Sequence, residues 1–289
     1  SYGEEKVLQL PEIDRMRTPV HTVQLLRTEG SSAMPSTDLV VVEEPLEIRL
    51  GHGPEHDRSE FRLSVTMRTP GHDEELALGF LLTEGLIESA IEVIRVVVCQ
   101  NVKEEEKGNV VRVELHPDVD LDPKKWQRNF YTTSSCGVCG KSSIDSVFTT
   151  CRIPMVPFEE PAADLIVQLP VTMRKAQFAF KHTGGLHAAA LFNTEGELLL
   201  LREDVGRHNA VDKIAGAMAQ LKITGEKKIL LVSGRAGFEL VQKCVMMAIP
   251  VMVSVGAPSS LSVSLADKSG LRLIGFLRGD RYNTYAPIG

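Results

Sequence analysis

KKILLVSGRAGFELVQKCVMMAIPVMVSVGAPSSLSVSLADKSGLRLIGFLRG, residues 227–279, is the stretch on which the fold turns. KKILLVS has the unbroken apolar run of a strand buried on both faces. The turn GRAG and the helical FELVQKCVMMA follow. Pro250 introduces the strand VMVSVG, then comes a second helix in APSSLSVSLADKSG, and LRLIGFLRG is a third strand. Strands alternating with helices of this kind specify an α/β domain, its sheet largely parallel and covered on both faces. Working back toward the N-terminus, HNAVDKIAGAMAQL places apolar residues at 211, 214, 218 and 221, the period of an amphipathic helix, with Asn209 as its expected N-cap. GELLLLRED is a strand reached through HTGGLHAAALFN, and VTMRKAQFAF is helical.

The grammar before residue 132 is different. DLVVVEEPLEIRL (38–50) reads as a strand pair or one bent strand, and FRLSVTMRT (61–69) alternates as a half-buried strand should. A helix is expected from Asp73 to Glu84, with acidic residues in its first turn and Gly85 closing it. IEVIRVVVCQ and NVVRVELHP are strands joined through VKEEEKG. The organisation expected is therefore a poorly ordered arm (1–20), a small α+β domain (21–131), a mobile loop (132–145) and the α/β domain (146–289).

Composition bounds the function. A chain of 289 residues with 43% apolar content can bury a substantial core. A net charge of -6 argues against a general nucleic-acid binder. No apolar run is long enough to span a membrane, and the charged opening SYGEEKVLQLPEIDRMRTP lacks the apolar core of a signal peptide. Five cysteines do not make a secreted disulfide framework, so a reduced, cytoplasmic setting is expected.

TTSSCGVCGK (132–141) carries two thiols, Cys136 and Cys139, on a segment with almost nothing to pack. Half of a zinc site is one reading, but the chain has no second CxxC. A thioredoxin-like dithiol is another, although Gly140 and the Ser/Thr flanks suit a rigid helix start poorly. A nucleophilic or carrier thiol on a swinging loop fits the composition best.

The turns after the strands form a second group. Arg207 and His208 precede a helix; Ser233 and Arg235 lie in the turn SGRAG; Ser259 and Ser260 open the next helix; and GFLRGDR closes the last strand with Phe276, Leu277, Arg278, Gly279, Asp280 and Arg281. Ligands of open α/β sheets lie beyond the carboxyl ends of the strands. Helix N-termini there offer N–H groups to anions, and arginine gripping phosphate at two points adds to them. A phosphorylated or nucleotide ligand is expected. Neither a P-loop nor a Rossmann glycine pattern is present. His182, His187 and His208 suit hydrogen bonding at such a site. The H-x-E…P-C-x-x-C pattern of zinc deaminases is not met, because Ala189 stands where the catalytic Glu would be.

SSCGVCGK, FKHTGGLHAAAL, REDVGRHNAVDKI, SGRAGFELVQK, GAPSSLSVSLA and GFLRGDR, in this order, resemble the FdhD family of formate dehydrogenase accessory sulfurtransferases, from about residue 35 onward. The resemblance implies a C-terminal domain like the cytidine deaminase fold without its zinc chemistry, and no stable metal. It implies that sulfur arrives from a cysteine desulfurase as a persulfide on Cys136, with Cys139 the accompanying thiol. The sulfur then passes to the molybdenum centre of bis-molybdopterin guanine dinucleotide before that cofactor enters the formate dehydrogenase apoprotein. The guanine-nucleotide end would sit near Phe276–Arg281, so GDP should act as a partial mimic, and a homodimer is implied. A persulfide loaded at one protein and unloaded at another needs a long reach, which a Gly/Ser loop provides. Lys141 would favour the thiolate. Attack by Cys139 on the Cys136 persulfide would expel sulfide and leave a disulfide. Either the loop keeps the thiols apart or that attack is the release step.

Overall fold

The computed structural model describes residues 18–119, 155, 158–177 and 183–287. The thiol loop and Cys136, Cys139, Lys141 and His182 lie outside the described residues, as does the arm up to residue 17. The chain opens with an antiparallel hairpin, β1 (Val20–Glu29) and β2 (Ser32–Val41), turned at Gly30 with φ +61°. Its second strand, SAMPSTDLVV, is polar and contains Pro35, and no alternation in the sequence marks it as a strand.

A four-stranded sheet follows, built from β3 (Glu44–His52), β4 (Ser59–Arg68), β5 (Val93–Val98) and β6 (Val110–Leu115) in the order β4-β3-β6-β5. Its middle strands are parallel and its outer pairs antiparallel. Helix α1 (Asp73–Thr83) lies on it, with Leu76, Leu78 and Leu81 against Leu46, Ile48, Val111 and Val113. Both ends of α1 are as the sequence predicts: Asp73, Glu74 and Glu75 occupy the first turn, and Gly85 follows at φ +67°.

The larger sheet carries β7 (His187–Asn193), β8 (Leu198–Asp204), β9 (Lys228–Val232), β10 (Val251–Ser254), β11 (Arg272–Arg278) and β12 (Arg281–Ala286), in the order β12-β11-β10-β9-β7-β8. Its helices are α2 (Ala163–Ala176), α3 (Arg207–Gln220), α4 (Phe238–Met246) and α5 (Ser260–Ser269). The alternation in 227–279 folds as read, with β9, β10 and β11 parallel. The sheet is nevertheless mixed rather than largely parallel. β7 is antiparallel to both neighbours and β12 to β11, because β7–β8 and β11–β12 are joined by hairpin turns too short for a crossover. α3, α4 and α5 cover one face; α2 covers the other with Ile166, Leu169 and Met173. α2 begins eight residues before VTMRKAQFAF and contains Pro170, so burial of that apolar face overrides a proline that reads as a boundary.

α3 departs furthest from expectation. Its cap is Gly206, and Asn209 is already helical, its amide donating to Met67 O at 2.8 Å and to Asp204 Oδ1 at 3.0 Å. Nor is α3 a helix with one wet face: residues 209–218 are all buried, because α1 packs on the side away from the sheet. The two helices cross at a glycine from each. A Cβ on Gly79 would overlap the Asp212 carbonyl oxygen, and one on Gly216 would overlap the carbonyl of Glu75. Paired charges line this seam. Lys213 Nζ lies 2.7 Å from Asp204 and donates to Thr69 O at 2.9 Å, and Lys243 Nζ lies 2.9 Å from Asp212 and 2.7 Å from Glu84. Burial opposes the charge on Lys243, but the Asp212 and Glu84 carboxylates outweigh it and keep the ammonium protonated. Much of REDVGRHNAVDKI is therefore structural joinery. No described helix is long and apolar enough to cross a membrane.

Candidate functional site

What is left of that motif, Arg207 and His208, sits at the N-terminus of α3, on the edge of the larger sheet where β9, β10 and β11 end. The turns there are zipped together strand by strand. Ser233 N donates to Ala188 O at 3.0 Å, and Ala188 N donates back to Ser233 Oγ at 2.9 Å. Gly256 N and Ser254 Oγ both donate to Gly234 O, at 3.0 and 2.7 Å, and Phe276 N donates to Gly256 O at 3.1 Å. Gly256 is required by this closeness, since a Cβ would press on Arg235 at 3.0 Å. The result is a continuous row of turns spanning three parallel strands, about 10 Å at a strand spacing of about 4.8 Å.

Phe276 ends the row in an unusual state. It lies in a β-bulge between Gly275 and Arg278, where Phe276 and Leu277 together face Tyr282; its φ is +55°, and the residue is 41% exposed. A bulky side chain in the left-handed region is strained, and bulges re-aim side chains at functional sites. GFLRGDR does not end the sheet, as the sequence suggests; it makes a hairpin. Gly279 (φ +59°) and Asp280 form the turn, and Arg278 and Arg281 stand directly opposite each other on β11 and β12. Like charges in that position repel unless something between them is negative. Leu277 points the other way, 3% exposed in the core, so only its main chain faces this edge.

Away from this edge most of the described arginines are paired, Arg27 and Arg95 excepted. Arg49, Arg58, Arg62, Arg68, Arg112, Arg202 and Arg272 each have a carboxylate partner. Arg207, Arg235, Arg278 and Arg281, all on the row of turns, have none within ion-pair distance among the described residues. His208 does have one: its Nε2 lies 2.7 Å from Glu239 on α4. Burial pushes Glu239 up, but the His208 hydrogen bond and neighbouring positive charges hold it below the usual carboxylate range. His187 opens β7 beside Gly234 and Arg207. Burial first, then the charges of Arg207 and His208, push its imidazole down against the pull of Asp204. Ser259 caps α5 by accepting from Ser262 N at 3.3 Å, so its oxygen is occupied in the helix start.

The structure thus brings Arg207, His208, Ser233, Arg235, Ser259 and the 276–281 hairpin to one edge. Sequence reasoning missed Glu239, which no motif distinguishes from a solvated helix residue. It also missed the contribution of β4, where Thr66 Oγ1 donates to Asn209 Oδ1 at 3.1 Å. A contact across 143 residues leaves no local signal. The edge can hold a polyanion carrying a planar group.

The model of the FdhD/NarQ family matches residues 41–288. A sulfur carrier protein FdhD from Streptomyces avermitilis is 49% identical over 268 residues, covering 91% of this chain and 92% of the relative. The sulfur carrier protein FdhD of Mycobacterium tuberculosis is 49% identical over 257 residues, covering 86% and 90%. A crystal structure described as a formate dehydrogenase accessory protein from Desulfotalea psychrophila matches with a TM-score of 0.69 at 24% identity, covering 93% of this chain and 97% of that one. That likeness shows the shared fold.

Proposed function

The chain belongs to the FdhD/NarQ family, and from that membership we propose that it is a sulfur carrier acting as an accessory to formate dehydrogenase. On this reading Cys136 accepts sulfane sulfur from a cysteine desulfurase persulfide: its thiolate attacks the terminal sulfur and the donor cysteine leaves as thiolate, with no net redox change. The sulfur is destined for the molybdenum centre of bis-molybdopterin guanine dinucleotide, bound here as cargo. Cys139 either stays clear or completes release, its attack on the inner sulfur expelling sulfide as the two cysteines become a disulfide. The thiol loop, residues 132–145, then links the α+β part to a cytidine deaminase-like domain that has lost the catalytic Glu position to Ala189. A cytoplasmic homodimer completes the proposal, two symmetric sites facing a cofactor with two lobes.

The observation that carries the ligand half is the convergence of Arg207, Arg235, Arg278 and Arg281, without carboxylate partners among the described residues, with the strained, exposed Phe276. A guanine stacked on Phe276 leaves its phosphates to these arginines along the row of turns, with forked donors on the phosphate oxygens. His208, Ser233 and Ser259 contribute through the positions of their helix and strand ends.

Two measurements test the two halves. After incubation with a cysteine desulfurase and cysteine, mass spectrometry should find one added sulfur on Cys136, lost in Cys136→Ser and less affected in Cys139→Ser. Stoichiometric zinc held by both thiols, with no added sulfur, would instead establish a metal-binding scaffold. In calorimetry wild-type protein should bind GDP, and Arg281→Ala should bind at least about tenfold more weakly while melting at the same temperature, the loss of a charge-assisted contact of roughly 1.5–3 kcal/mol. Equal affinities would remove Arg281 from the site.

A further inference from the structure

We propose that His187 is a ligand-binding residue of this edge, contacting the phosphates of a nucleoside diphosphate and taking up a proton as the ligand binds. The proposal rests on the nucleotide reading given above and adds to it one residue and one proton. His187 opens β7 opposite Asp204, the last residue of β8, and is half-buried. Its Nδ1 and Cε1 lie 3.4 and 3.6 Å from the point that a Cβ on Gly234 would occupy, and Arg207 Cδ lies 3.9 Å from the same point. Imidazole, glycine backbone and arginine stem therefore meet at one spot, beside the first turn of the row. Neither ring nitrogen has a hydrogen-bond partner among the described residues. A half-buried imidazole with neither nitrogen engaged by the described residues, at the mouth of a cationic edge, is placed to meet a bound ligand.

His208 makes the contrast. Its Nε2 is committed to Glu239, a bond that fastens the start of α3 to the start of α4. The groups facing His187 are Arg207 and His208 from α3 and Asp204 from the end of β8, with Glu239 of α4 beyond His208. Asp204 is a weak counterweight, since it is already engaged by Lys213, Thr69 N, Gly206 N and Asn209. In the empty site His187 is consequently held neutral by burial and by neighbouring cations. A diphosphate settling between Arg207 and Gly234 reverses that field. The imidazole then gains a proton from solvent and donates an N–H to a phosphate oxygen; no covalent bond changes. Because the proton joins only the bound form, the same phosphate group binds more tightly as pH falls toward the empty-site value.

Proton-linked calorimetry reads this directly. GDP is titrated at about pH 6.5, the ordinary imidazole value, which lies between the lowered value of the empty site and the raised one of the complex. Two buffers of matched ionic strength and different ionisation enthalpy are compared. The terminal phosphate of GDP itself titrates at about pH 6 and loses a proton on meeting arginines, so the readout is the difference between proteins. Wild type should take up a substantial fraction of one proton more per GDP than His187→Gln, which keeps a neutral donor and should bind several-fold more weakly at this pH, whereas His208→Gln should keep the wild-type proton count. Equal proton counts in wild type and His187→Gln overturn the role of His187 and leave the nucleotide site standing. An excess uptake that survives His187→Gln and vanishes in His208→Gln also overturns it. Failure of GDP to bind the wild-type protein at all overturns the nucleotide reading itself.

Discussion

At the scale of single residues, Phe276 shows stability and binding pulling apart. A left-handed backbone under a phenylalanine costs about 1–3 kcal/mol, and a residue 41% exposed regains little of that by packing. Glycine carries no such penalty. Phe276→Gly is therefore expected to melt no lower than wild type, while GDP affinity falls at least about fivefold with the lost stacking of roughly 1 kcal/mol or more. A variant that melts several degrees lower with GDP affinity intact would make Phe276 a packing residue. The identity of this residue and its arginine neighbours was legible in GFLRGDR, because those side chains have no reason to sit together at a strand end. Its φ was not, because the bulge arises from pairing with β12, a strand whose sequence RYNTYA does not announce itself.

At the scale of elements, α3 is decided by what packs on it. Its 3.6-residue apolar period was enough to predict a helix but credited it with one buried face. The second face is buried by α1, and the cost of hiding Asp212 and Lys213 there is offset by partners from three other segments. The glycine crossing permits that approach. Gly79→Ala should destabilise by about 3 kcal/mol or more, the upper end for forcing extra volume into a packed core, since the atom it strikes is backbone. Urea unfolding of the variant measures it. A loss below about 0.5 kcal/mol would mean that the two helices can part freely.

At the scale of the whole molecule, the two sheets are fastened by charges, and so acid should loosen them. Glu75 of α1 pairs with Arg202 of β8. Burial pushes this carboxyl up, but hydrogen bonds from Arg202 and His72 and their charges outweigh it, leaving Glu75 below its usual range. A depressed carboxylate contributes stability that is fully present above its unfolded value, about 4.3, and is lost as pH falls through the folded value. Wild-type unfolding free energy should therefore drop from pH 5 downward. Glu75→Gln should be less stable at neutral pH and lose less on acidification. Parallel pH curves for the two proteins would show that the pair contributes nothing to the seam.

The sequence by itself determined that a strand–helix alternation would build a sheet, and that its turns would carry arginine, serine and an aromatic at the strand ends. These are local properties, written in hydrophobic period and turn composition, and each is read within one or two elements. Tertiary structure alone decided the antiparallel flanks of the sheet, the two-sided burial of α3, the commitment of His208 to Glu239 and the strain at Phe276. Each depends on segments far apart in the chain meeting at a distance of a few ångströms, as Asn209 meets Met67 and Lys243 meets Glu84. Hydrophobic patterning specifies which side of an element is buried, and only the packed chain specifies against what.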